Sequence, residues 1–170
     1  MGGGIVEALP EDVQEKVLAF LDIAIFEEGA AMRGGCLVTD IQTHPLEFRV
    51  SGAIRPTNLQ KILYGKTMHG YVCKDLVGLP IIRALEIKPD FVLVRDAEFL
   101  KLRPEIDVPV LWIRSATNDQ SVLQSFPGYD GEAEIGRDVL ARVMRGNQVM
   151  EPFKRIHTAL GEAHNLKIGE

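Results

Sequence analysis

The chain is short of cysteine and of long apolar runs, and each shortage excludes something. Two cysteines in 170 residues, Cys36 and Cys73, cannot staple a disulfide scaffold and suit a reducing compartment. No apolar run approaches the ~20 residues a membrane-spanning helix needs, so no membrane partner is expected. The opening Met1-Gly2-Gly3-Gly4-Ile5-Val6 carries no basic leader, and Val6 stands where a myristoylation signal wants Ser or Thr. A cytoplasmic location is the expectation. The common catalytic and cofactor signatures are missing too: there is no G-x-G-x-x-G, G-x-S-x-G, H-E-x-x-H or C-x-x-C. Gly65-Lys66-Thr67 copies the end of a phosphate-binding loop, but Gln60 occupies the place of that loop's first glycine and a helix precedes it.

What is present describes an ordinary globular chain. Apolar residues make up 46% and charged residues 25%, and a chain of this length buries roughly 70% of its unfolded surface without staples. Residues 1–170 read as a single domain, with a loose lead-in over 1–9 and C-terminal helices over 132–164. The net charge of −5 is unevenly spread. From Phe48 to Arg83, six bases (Arg49, Arg55, Lys61, Lys66, Lys74 and Arg83) face one acid, Asp75, a local charge of +5 that leaves −10 for the rest. Such a segment offers a focused positive field if its bases share a face, and a set of solvated side chains if they do not.

Periodicity outlines an α/β fold. Pro10-Glu11-Asp12 reads as a helix start, with Val13, Val17, Leu18 and Leu21 at helical spacing, while Ile23 to Phe26 fit helix or strand. Gly34-Gly35 introduces a strand, and Leu46, Phe48 and Val50 alternate with Glu47, Arg49 and Ser51, which predicts an antiparallel hairpin over about 35–53. Thr57 and Gln60 form a capping box for a short helix through Tyr64, closed by Gly65. Gly70 and Gly78 read as breaks, and Pro80 opens another short helix. Phe91–Val94 and Val108–Ile113 are apolar on both faces, as central parallel strands are, and residues 95–107 suffice for a helical crossover. Residues 116–131 read as a polar surface loop, and Ile135 to Val143 and Phe153 to Leu160 as helices. The expected architecture is a three-layer mixed sheet with an N-terminal antiparallel hairpin, two central parallel strands and a helical C-terminal tail.

Two constellations were weighed as sites. Cys36, His44, His69 and Cys73 have zinc chemistry, and His69 and Cys73 are four apart as helical ligands would be, but the remaining spacings match no zinc framework and Gly70 interrupts the helix. No metal and no cofactor is expected. In open α/β sheets ligands sit beyond the carboxyl ends of the parallel strands. Arg95, Asp96 and Glu98 lie at one such end and Arg114 at another, with Arg55 joining them if the second hairpin strand runs the same way. Asp96 also serves as an N-cap and Glu98 suits a first helical turn, whereas Arg55, Arg95 and Arg114 have no such local role and are the anion-binding candidates. Glu47 and Arg49 point the same way on one strand and read as charges guarding a sheet edge.

Gly34-Gly35-x-Leu37-Val38, Pro45-Leu46-Glu47-Phe48, Arg55-Pro56, Gln60 and Ile62-Leu63-Tyr64-Gly65 together resemble the core of a group of uncharacterised bacterial proteins. The likeness spans Gly34 to Gly65 and implies a recurring bacterial domain with no activity to carry over. The order helix, hairpin, helix, strand, helix, strand, helix is similar to the cytidine-deaminase-like fold. Its zinc ligands have no counterpart in Arg55-Pro56-Thr57-Asn58 or Arg95-Asp96-Ala97-Glu98, so the analogy implies a metal-free relative.

Three functional readings follow, in this order: a non-catalytic binding or assembly subunit that meets a protein partner or itself through the hairpin edge or C-terminal helix; a binder of nucleic acid or a phosphorylated ligand through the basic segment, with Tyr64 and Tyr71 to stack; and a small-molecule enzyme using Arg55, Arg95, Asp96, Glu98 and Arg114.

Overall fold

The computed structural model describes residue 9 and residues 11–116, 121–144 and 146–170. Pro10 lies outside the described residues, as does most of the lead-in. Helix α1 (Glu11–Gln14) is one turn long, and the helix expected to run on through Leu21 is instead strand β1 (Leu18–Phe26). The run Leu18-Ala19-Phe20-Leu21 satisfies both periods because its residues are apolar without alternation. Burial on both sides of the segment decides for strand. β1 pairs antiparallel with β2 (Ala31–Thr39), which pairs antiparallel with β3 (Pro45–Val50), so the expected hairpin is present and extended by one strand. The deaminase-like order, which begins with a helix and then a hairpin, is therefore not the order seen.

After β3, Thr57 caps α2 (Asn58–Tyr64): the Gln60 amide donates to its hydroxyl at 3.1 Å and Gln60 Oε1 accepts from the Thr57 amide at 2.8 Å. Gly70 and Gly78 are not breaks. A tight turn over Gly65–Thr67, helix α3 (Met68–Tyr71), a π-helical stretch Val72–Gly78 and helix α4 (Leu79–Ala84) follow one another directly. Gly78 is there for space, since a Cβ on it would lie 2.7 Å from Leu102 Cδ2 and 2.8 Å from the Cys73 carbonyl. Strand β4 (Phe91–Val94), a 3-10 crossover Ala97–Glu105 and strand β5 (Val110–Ala116) form the expected parallel pair. The polar stretch read as loop contains strand β6 (Ser121–Gln124), antiparallel to β5. Only Leu123 of its four residues is buried, which is why the pattern is faint. Helices α5 (Asp130–Val143) and α6 (Glu151–Asn165) complete the chain.

The sheet order is β3-β2-β1-β4-β5-β6. One face packs Leu18, Phe20, Leu93 and Leu111 against α5 and α6 through Val139, Phe153, Ile156 and Leu160. Phe20 and Phe153 meet edge to face at 5.5 Å; burying each ring is worth about 2–3 kcal/mol. The other face packs Leu21, Val38 and Val92 against Val77, Phe99 and Leu102. This is the mixed three-layer α/β architecture expected.

β3 is an edge strand, and its charge pair has a further task. Glu47 accepts from Arg49 Nε at 2.7 Å, and also from the amides of Glu86 (3.0 Å) and Ile87 (2.9 Å). Those two amides, followed by Arg49, hold the Glu47 carboxyl below its ordinary 4.5. Because the folded value is depressed, this contribution to stability is present above the unfolded value and lost as pH falls through the folded one. Chemical denaturation of the parent and of Glu47→Gln is expected to show a stability gap at neutral pH that narrows as the pH falls below 4.5 and through the lowered folded value.

Candidate functional site at the carboxyl end of β4

Leu21 of β1 stands opposite Val94 of β4, so Asp22 and Ile23 run beside Arg95 and Asp96 where β4 ends. Successive side chains on a strand point to opposite faces. Asp22 and Arg95 turn toward α6, and Asp96 turns toward α3. Between them opens a shallow cleft of about 490 Å³, lined by Asp22, Ile23, Ile25, His69, Arg95, Asp96 and Ala97.

On the α6 side, Asp22 is 3% exposed, a buried carboxylate that requires partners. Its Oδ2 accepts from Arg95 Nε at 3.0 Å and Nη2 at 2.5 Å, and lies 2.9 Å from His157 Nε2. The guanidinium sits 5.1 Å from the Phe153 ring centroid, and Trp112 Nε1 donates to the Arg95 carbonyl at 3.0 Å. Arg95 is thereby fixed at the floor of the cleft.

On the α3 side, Asp96 Oδ1 accepts from the Glu98 amide at 3.0 Å, which is the expected N-cap. That bond leaves Oδ2 facing His69 Nε2, with which it pairs. Cys73 Sγ lies 3.6 Å from the same nitrogen. Burial pushes the Cys73 thiol well above its usual range, and the nearby carboxylates of Asp96, Glu98 and Asp22 push it further. Gly70 lets the crossover come close: a Cβ there would stand 2.5 Å from Glu98 Oε2.

The structure separates the three candidate arginines by their partners. Arg55 pairs with Glu27 at 2.9 Å and with Glu170. Those carboxylates keep its guanidinium charged, and it in turn holds the Glu27 carboxyl below its usual range. Arg114 is exposed and stacks over Trp112 at 5.5 Å. Only Arg95 and Asp96 of the expected set line the cleft. Glu98 pairs with Lys101 at 2.6 Å in a separate groove beside α3.

The basic segment divides as well. Arg49 is committed to Glu47 and to Glu86, and Lys61 and Arg83 are exposed elsewhere. Lys66 and Lys74 do converge, joined by Lys101 from the crossover, in a groove of about 340 Å³ beside α3 whose lining also holds two acids, Asp75 and Glu98. Lys74 is paired with Glu105 at 3.0 Å. Tyr64 and Tyr71, expected to stack on a ligand, stack on each other at 4.4 Å.

The metal set weighed from sequence also divides. Cys36 is buried in the core and His44 pairs with Asp40 in the β2–β3 turn at 2.9 Å, whereas His69 and Cys73 do come together. Asp22 and His157 escaped the sequence reading. The available signal was a lone carboxylate inside Leu18–Phe26, since a charge in an apolar run is buried with a partner or is functional.

A six-stranded mixed sheet, helices on both faces and a polar cleft between β1 and β4 define the class of fold to which this chain belongs. No family model and no curated protein matches the sequence. Among solved structures, the chain is similar to an endonuclease V from Bacillus subtilis, with a TM-score of 0.53 and 12% identity over 88% of this chain and 83% of that one. A DNA-bound endonuclease V from Ciona intestinalis is similar at a TM-score of 0.34 and 10% identity, this chain spanning 56% of its length. The Bacillus likeness establishes a shared fold.

Proposed function

We propose that the chain binds nucleic acid across the carboxyl end of β4, the backbone running from the Lys66–Lys74–Lys101 groove into the cleft floored by Arg95. The observation that carries this reading is the place of the cleft. The strand order reverses between β1 and β4, and α/β sheets of this kind bind ligands at that point. The likeness to an endonuclease supports a nucleic-acid ligand, as does the lysine groove beside the cleft. Binding exchanges the Glu105 and Glu98 partners of Lys74 and Lys101 for phosphates. Lys66 has no acidic partner among the described residues.

Fluorescence anisotropy with single-stranded and duplex oligonucleotides at two salt concentrations tests the reading. Three lysine–phosphate contacts predict a log–log salt slope of about −2 on a single strand, and Lys66→Gln is expected to flatten it by about 1. Absence of salt-sensitive binding in the micromolar range would sink the proposal.

Contact with another protein has exposed apolar surface in its favour: Leu46 (46%) and Phe48 (38%) on the hairpin edge expected from the sequence, and a more exposed patch elsewhere. The apolar face of α6 is spent on the core through Phe153, Ile156 and Leu160. Helix α2 instead exposes Leu59 (64%), Ile62 (76%) and Leu63 (74%) on adjoining positions, an apolar patch of the kind that marks contact surfaces. Light scattering tests it: a monomer at all concentrations that brings no partner through purification removes this second reading.

A further inference from the structure

The α3 side of the cleft gathers three side chains whose chemistry goes beyond nucleic-acid binding. His69, Cys73 and Asp96 each offer one ligand atom, and the three atoms lie within 4.8 Å of one another. We propose that His69 Nε2, Cys73 Sγ and Asp96 Oδ2 form a three-ligand site for a thiophilic divalent cation, zinc or cobalt(II), with its fourth position open to the cleft.

Geometry supports the donor set. Tetrahedral zinc with Zn–S of about 2.3 Å and Zn–N of about 2.0–2.1 Å sets sulfur and nitrogen about 3.6 Å apart, and Cys73 Sγ stands 3.6 Å from His69 Nε2. His69 Nε2 and Asp96 Oδ2 pair directly with each other, so the cation takes the place of that hydrogen bond and the two donors move apart to about 3.4 Å. Both residues come from one helical run that changes from α to π winding between them, a local change that recurs at functional sites. The Asp96 carboxylate is held by its cap bond through Oδ1, which leaves Oδ2 to the ligand position. A thiolate in the set selects zinc or cobalt over magnesium or calcium, which prefer oxygen donors. Three protein ligands and one open position are the pattern of zinc sites that exchange a water or a substrate oxygen. His69 and Asp96 both line the cleft that Asp22 and Arg95 also line.

Cobalt(II) titration of the full chain tests the site without reference to nucleic acid, so its outcome is separable from the oligonucleotide result. The expected result is a near-ultraviolet thiolate-to-cobalt band that saturates at one equivalent and is displaced by zinc. Cys73→Ser abolishes it, and Asp96→Asn weakens binding by at least the about 10–100-fold that loss of an outer-shell partner costs. His69 is half exposed, so His69→Ala tests the site on a folded chain. Cys36→Ser, which removes the other cysteine, retains the band. No band on cobalt addition, a band that survives Cys73→Ser, or one that Cys36→Ser alone removes overturns the proposal.

Discussion

Arg95→Ala is expected to destabilise the protein by about 3 kcal/mol, a fall in Tm of about 6–12 °C for a chain of this size. The reason lies in what remains. The Asp22 side chain is 5% exposed, and two of its three close donors are nitrogens of Arg95. Without them the carboxylate stays buried between β1 and α6, with the His157 imidazole as its remaining side-chain partner among the described residues. Breaking a buried pair from one side costs about 3–5 kcal/mol because the surviving charge has lost its compensation. The lower end applies, since Arg95 is itself 35% exposed and water from the cleft enters the space it vacates. The double variant Asp22→Asn, Arg95→Ala is expected to recover part of the loss by removing the stranded charge. Urea denaturation of the single and double variants measures both. A single-variant loss below about 1 kcal/mol would show that Asp22 is solvated rather than paired.

Arg33→Ala is expected to cost as much or more, about 3–5 kcal/mol, and to loosen the end of the chain. Arg33 lies on β2 with no exposed surface. Its Nε donates to His164 Nδ1 at 2.9 Å, Nη1 donates to the Ile168 carbonyl at 2.6 Å and the Ser51 carbonyl at 3.3 Å, and Nη2 meets Glu170 at 3.4 Å. One guanidinium thus ties β2 to the end of α6 and to the turn that follows it. His164 continues the connection by stacking on Phe26 at 4.3 Å and reaching Glu27 at 2.9 Å. Alanine leaves a cavity and several acceptors without donors. The expected signature is a lower denaturation midpoint together with faster amide exchange over residues 164–170. A lowered midpoint with unchanged exchange there would mean that the turn is held by its own backbone bonds.

The elements that could be read from sequence are those with one dominant local cause. Alternation over Leu46–Val50 marked the outer hairpin strand, the Thr57–Gln60 box marked the start of α2, and the apolar run Phe91–Val94 marked a central strand. Asp96 is legible as a cap because a short polar side chain stands directly before the helical turn that begins at Ala97. Elements governed by non-local burial were not legible. β1 looked like the tail of a helix because four adjacent apolar residues fit either period, and its identity depends on β2 and β4 flanking it. β6 was hidden because one buried leucine in four residues makes no pattern. Gly70 and Gly78 look like breaks to local rules, yet both sit within a continuous helical run, and at Gly78 the near backbone of Cys73 and the Leu102 side chain leave no space for a Cβ.

For the candidate site the division is sharper. By itself the sequence determined the fold class, the shortage of cysteine, the local excess of base between Phe48 and Arg83 and the four-residue spacing of His69 and Cys73. Which charges meet was decided by the tertiary structure. Three arginines that looked equivalent took different partners, Glu27 and Glu170 for Arg55, Asp22 for Arg95 and the face of Trp112 for Arg114. Asp96, 23 residues from Cys73 in the chain, completed a ligand set that helix spacing only half supplied. The physical reason is that periodicity reports which face of an element is buried, whereas pairing depends on which elements the sheet order makes neighbours. That order placed β4 beside β1 and brought Asp22, Arg95 and Asp96 to a single cleft.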